Sequence, residues 1–71
     1  MISYQFWDAP GSGETYAIRI ESGAVTGCDG PLHHGQVVQA LLPLMHYDDS
    51  PEDAQWIEAT RDDWQLHETE A

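Results

Sequence analysis

Apolar and polar residues alternate at the start of the chain. In Ile2-Ser3-Tyr4-Gln5-Phe6-Trp7 the pattern has the two-residue period of a strand, with Ile2, Tyr4 and Phe6 on one face. The same period returns in Thr15-Tyr16-Ala17-Ile18-Arg19-Ile20, where Tyr16, Ile18 and Ile20 share a face opposite Thr15, Ala17 and Arg19. A third strand is expected in Ala24-Val25-Thr26-Gly27-Cys28, joined to the second through Ser22-Gly23, a pair suited to the left-handed backbone of a short hairpin turn. Asp29-Gly30-Pro31 then breaks the sheet.

Beyond that break the period changes. Val37, Val38, Leu41, Leu42 and Met45 make one stripe at helical spacing, predicting a helix over residues 34 to 42 with a last loose turn to 46. Pro43 lacks an N–H and sets the end or a kink near Leu42. Ser50-Pro51-Glu52-Asp53 is a helix start, with Ser50 as N-cap, Pro51 in the first helical position and an acid three residues after the cap. That second helix is expected over residues 51 to about 61, burying Trp56 and Ile57, with Arg61 at the negative end of its dipole. Trp64-Gln65-Leu66-His67 alternates again and predicts a short fourth strand. The expected fold is α+β in the order β-β-β-α-α-β: an antiparallel sheet of three to four strands with both helices on one face, in a single domain over residues 1–67. Residues 68–71 are expected to fray.

The loop between the first two strands, DAPGSGET, has the look of a phosphate-binding loop. It lacks the Gly-Lys-Ser/Thr ending, places Asp8 and Glu14 where phosphate charge would sit, and leads into a strand instead of a helix. It is a turn. Pro10-Gly11-Ser12-Gly13 also has the wrong spacing for a nucleophile elbow.

Length and charge narrow the picture. A chain of 71 residues buries only ~60% of its unfolded surface, so its stability is marginal without a staple, and the single Cys28 excludes an intramolecular disulfide. Thirteen acids face two arginines, with no lysine, for a net charge of −11. Residues 48–71 carry nine of those acids. Such a chain is disfavoured as a direct ligand of nucleic acid or an anionic membrane, since both attract proteins through lysine and arginine. No segment has the length of a membrane span and MISYQFWDAP lacks the features of a secretion signal, so a cytoplasmic setting is the default.

Cys28, His33 and His34 are the only cluster with ligand chemistry. Two adjacent histidines point about 100° apart on a helix, short of the convergence a metal needs, and no motif supports a nucleophilic Cys28. Cys28 is expected half-buried, with His33 or His34 capping the first helix. No metal, cofactor or catalytic role is assigned. The alternating carboxylates of a calcium loop are also missing.

The acidic block remains. Asp48, Asp49, Glu52 and Asp53 suit the start of a helix, where each is worth roughly 0.3–1 kcal/mol against the dipole. Glu58 and Asp62 repel each other at i, i+4, and Asp63 follows a helix C-terminus, so folding alone does not account for them. The functional expectation is a non-catalytic interaction module. Asp48, Asp49, Glu52, Asp53, Glu58, Asp62 and Asp63, with Trp56 or Trp64 as anchor, would dock on a basic protein partner, in the sharpest version by mimicking nucleic acid to inhibit a nucleic-acid-binding protein. The rival is a structural homo-oligomer whose charge only keeps it soluble.

Overall fold

The computed structural model describes residues 1–47 and 51–68, and it is built on a four-stranded antiparallel sheet in the order β3-β2-β1-β4. Its strands are β1 (Ile2–Asp8), β2 (Thr15–Glu21), β3 (Ala24–Asp29) and β4 (Gln65–Leu66). Among the described residues one α-helix, α1 (Pro51–Ala59), packs against β3, and three 3₁₀ segments connect the rest. The fold is therefore α+β. Among the described residues no helix is long and apolar enough to cross a membrane.

The register follows the alternation in the sequence. Phe6 pairs with Ala17, Gln5 with Ile18 and Trp7 with Tyr16, and residues opposite each other share a face. One face carries Trp7, Ile18, Ile20, Val25 and Cys28 against Ala54, Ile57 and Trp64. The other carries Phe6 and Ala17 against Leu42, with Tyr4, Leu32, Val37, Met45 and Tyr47 at its margin. The middle of β2 and the Phe6–Trp7 end of β1 are thus buried on both sides.

The first two turns bear out their sequence signals. Ser22 and Gly23 both have positive φ, 53° and 86°, as a type I′ turn requires. In the glycine loop, the Ala9 N–H donates to the Glu14 carbonyl at 2.8 Å and the Gly13 N–H to the Ala9 carbonyl at 3.1 Å. These groups close a hairpin between β1 and β2.

The stretch expected as the first helix is not α-helical. It forms two 3₁₀ segments, His34–Gln36 and Gln39–Leu44, separated by Val37 and Val38, whose backbones leave the helical region. Two adjacent β-branched residues crowd the preceding turn of a helix, and Pro43 removes one N–H from any continuing ladder. The apolar stripe is consequently split: Leu42 is buried and Val37 and Met45 pack beside it, while Val38 and Leu44 are exposed. Nor do both helical regions share a face. Since Phe6 and Ala17 make the second face of the sheet apolar too, the Gln39–Leu44 segment covers that face and α1 covers the other.

Helix α1 starts at Pro51 as expected and ends at Ala59, two residues early. There the Thr60 hydroxyl and N–H both donate to the Trp56 carbonyl, at 2.8 and 3.0 Å, and a 3₁₀ turn at Arg61–Asp63 follows. Its buried side chains are Ala54 and Ile57, three apart on one face. Trp56, expected to be buried, is 48% exposed. Arg61 does not serve the helix end. Its Nη1 donates to the Gly23 carbonyl at 2.6 Å, and its guanidinium lies 5.4 Å from the centre of the Trp7 ring. The fourth strand is present as two residues, Leu66 opposite Trp7 and Gln65 opposite Asp8.

Candidate functional site

Helix α1 presents its polar side to solvent because Ala54 and Ile57 occupy the inward positions. Glu52 and Asp53 are exposed on its first turn, and Asp62 and Asp63 are exposed on the 3₁₀ turn beyond its end. Among the described residues none of these four carboxylates has a cation within ion-pair distance. Asp48 and Asp49 lie outside the described residues.

Glu58 is placed differently. Its Oε2 accepts the Val25 N–H at 3.0 Å and its Oε1 lies 3.4 Å from Arg61 Nη1. Val25 sits where the β2–β3 register shifts, so the ladder leaves its N–H for a side chain to satisfy. This carboxylate, which helix electrostatics alone does not account for, is a strut between α1 and the edge of the sheet.

The two tryptophans divide the anchoring role expected of either. Trp64 is only 7% exposed, and its indole N–H donates to Thr60 Oγ1 at 2.9 Å. It makes edge contacts with Tyr16 and with Trp56, each at a centroid distance of 5.4 Å and an interplanar angle of 75°. Trp56 is therefore the exposed aromatic of this surface, and Trp64 is the support beneath it.

Between α1 and the end of β3 lies a cavity of about 170 Å³ lined by Tyr16, Cys28, Asp29, Gly30, Asp53, Trp56 and Ile57. The Tyr16 phenol beside it is held above its ordinary pKa, first by burial and then by the negative field of Glu14, Cys28 and Asp53. A shallower cavity of about 360 Å³, lined by Trp7, Arg61, Asp62, Trp64 and Leu66 among others, opens at the other end of the helix.

Cys28, His33 and His34 are not brought together. Cys28 is buried, not half-buried, and lines the cavity under α1, while His34 lines one on the opposite face with Thr15 and His67. The His33 N–H donates to Gln36 Oε1 at 3.0 Å, so at this turn the glutamine side chain is the acceptor. Among the described residues no group of three or more His, Cys, Asp or Glu is arranged to hold a metal ion.

One polar cluster had no sequence signal. Asp8 accepts the Thr15 hydroxyl at 2.6 Å and faces His67 Nδ1 at 2.9 Å. Asp8 and Thr15 are cross-strand partners, which the register of the first hairpin implies, but His67 is 59 residues from Asp8. The hydroxyl gives its hydrogen to the carboxylate and lies 3.5 Å from the imidazole, so the histidine is not placed as its base. The cluster fastens the segment after β4 to the first hairpin.

The chain matches no family model, and neither a curated protein nor a solved structure is significantly similar to it.

Proposed function

We propose that this chain is a non-catalytic interaction domain that docks on a basic surface of a partner protein through the solvent side of α1 and the turn after it. The observation that carries this is the set of four exposed carboxylates, Glu52, Asp53, Asp62 and Asp63, unpaired among the described residues and flanking the half-exposed Trp56. Charges balanced within the fold would leave nothing for a partner to neutralise. These carboxylates sit at the two ends of a helix about 13 Å long at 1.5 Å per residue, a span that one lysine- and arginine-lined groove covers. In its specific form the partner is a nucleic-acid-binding protein, and the carboxylates occupy the place of phosphates, gaining from the same counterion release. Trp56 adds a desolvating contact of the kind that anchors charged interfaces.

The test is capture from native lysate on the immobilised domain, washed at low salt and at roughly 0.5 M, where surface attraction is mostly screened. A variant with Glu52→Gln, Asp53→Asn, Asp62→Asn and Asp63→Asn runs beside it, with Glu58 kept because it supports β3. Proteins retained by the parent at low salt, released at high salt and missed by the variant support docking. Equal retention by both forms rejects it.

A second reading has its own observation. Strand β4 covers only the Trp7–Asp8 end of β1, and Met1 and Ile2 are exposed at the uncovered end. A second copy pairing along that edge would give a homo-oligomer whose association persists in salt. Sedimentation across a concentration series at low and high salt separates this from docking.

A further inference from the structure

We propose that the cavity walled by Tyr16, Trp56 and Asp53 receives the side-chain head of one arginine or lysine from the basic partner. This deepens the docking proposal and rests on it.

The two aromatic walls are fixed. Trp64, buried beneath them, makes T-shaped contacts with both Tyr16 and Trp56 at the same distance and angle. Gly30 closes the third side. A Cβ added there would stand 2.7 Å from Tyr16 Cδ2, so the bare backbone abuts the ring and keeps it from swinging toward the end of β3. Aromatic faces attract a cation through their quadrupole, most strongly in tryptophan, and guanidinium stacks on them as well.

Charge at the cavity has one sign. Asp53 brings a carboxylate with no cation partner among the described residues. Asp29 lines the cavity too, but its pairing with Ala17 puts its side chain on the other face of the sheet, so Asp53 is the carboxylate available here. Neither arginine of the chain reaches the space. Arg61 is held at Gly23 and Trp7, and Arg19 spans the opposite face, where Nε donates to Thr26 Oγ1 and Nη2 to the Thr26 carbonyl. The chain has no lysine. An arginine or lysine head in this cavity therefore comes from another molecule.

Size agrees. At about 30 Å³ per water, a space of about 170 Å³ takes several waters or one cationic head group with part of its stem. It is too small for a folded element.

The test uses two probes on the intact domain: arginine amide, which brings one side chain, and a hexaarginine peptide, which brings a basic surface. Chemical shifts of the Trp56 indole and the Tyr16 ring follow the first, and calorimetry follows the second. Arginine amide is expected to move the Trp56 and Tyr16 signals while those of Trp7 stay in place. Trp56→Ala is expected to weaken hexaarginine by about fivefold to thirtyfold with an unchanged circular dichroism spectrum, and Trp56→Phe to restore part of the loss. Asp62→Asn with Asp63→Asn is expected to weaken hexaarginine while leaving the arginine amide shifts intact. If arginine amide moves only carboxylate-bearing residues and leaves Tyr16 and Trp56 unmoved, the cavity is not a cation site, although salt-sensitive hexaarginine binding would still uphold docking. If arginine amide enters the cavity but hexaarginine fails to bind, the cation site stands and the docking face is wrong.

Discussion

Removing the Glu58 carboxylate separates a structural acid from its neighbours on the same helix. In Glu58→Ala the Val25 N–H loses its acceptor at 3.0 Å and Arg61 loses the contact at 3.4 Å. A hydrogen bond to a charged group contributes about 1.5–3 kcal/mol net, and the side chain's 40% exposure places this one near the lower bound. The i, i+3 pair adds about 0.3 kcal/mol. Alanine's better helix propensity offsets a few tenths, leaving a loss of about 1.5 kcal/mol. For a domain of this size each kcal/mol moves the midpoint by about 4–8 °C, so the melting temperature falls by roughly 6–12 °C. Glu58→Gln keeps a neutral acceptor and is expected to lose about half as much. Thermal unfolding followed by circular dichroism gives the numbers, with Asp62→Ala as a surface control expected within about 0.5 kcal/mol of the parent. The loss should persist at high salt, because the bond to Val25 is short and local whereas the pair with Arg61 is screened. If Glu58→Ala melts with the Asp62→Ala control, the strut between α1 and β3 does not exist.

Three further outcomes follow from the packing. Ile57→Ala empties a fully buried position between α1 and the sheet and is expected to cost about 2–5 kcal/mol by denaturant titration; a loss under 1 kcal/mol would mean that the helix does not pack there. Gly30→Ala meets the Tyr16 ring at 2.7 Å from a backbone at φ 156°, so a loss of about 1–3 kcal/mol with displaced Tyr16 signals is expected, and an unperturbed spectrum would refute the contact. Tyr47 donates to the Leu42 carbonyl at 2.7 Å and stacks on Tyr4, and burial, followed by Tyr4 and Asp29, pushes its phenol up to about 12. The folded state thus holds this proton more tightly than the unfolded chain, whose phenol titrates near 10. Its stabilising contribution is complete below pH ~10 and is lost as pH rises toward 12. Tyr16 is raised as well, so the readout is the difference between parent and Tyr47→Phe: phenolate absorbance should lose a late-titrating tyrosine in the variant, and a Tyr47 titration near 10 would count against its burial.

Local patterns carried the sheet and the start of α1. Alternation at Ile2 to Trp7 and Thr15 to Ile20, the Ser22-Gly23 pair and Pro51 each act through neighbouring backbone, so a short window contains their physics. The stripe from Val37 to Met45 misled because i, i+4 spacing does not distinguish an α-helix from two 3₁₀ turns separated by two non-helical valines. Which face each segment covers depended on Phe6 and Ala17 being apolar opposite Trp7 and Ile18, a property of two strands taken together. At the candidate site, the sequence located the acidic block and the two tryptophans but not their division of labour. Glu58 is tied to Val25, 33 residues away, and Trp64 supports both Tyr16 and Trp56. Long-range contacts of that kind leave no trace in spacing.

The most direct test of docking is the salt dependence of affinity for a protein captured by the domain, measured for the parent and for the variant neutralised at Glu52, Asp53, Asp62 and Asp63. Recognition by these carboxylates requires the parent's log affinity to fall steeply with log salt and the variant's line to start lower and run flatter. Parallel lines with equal intercepts would mean that the acidic face takes no part in binding and serves solubility alone.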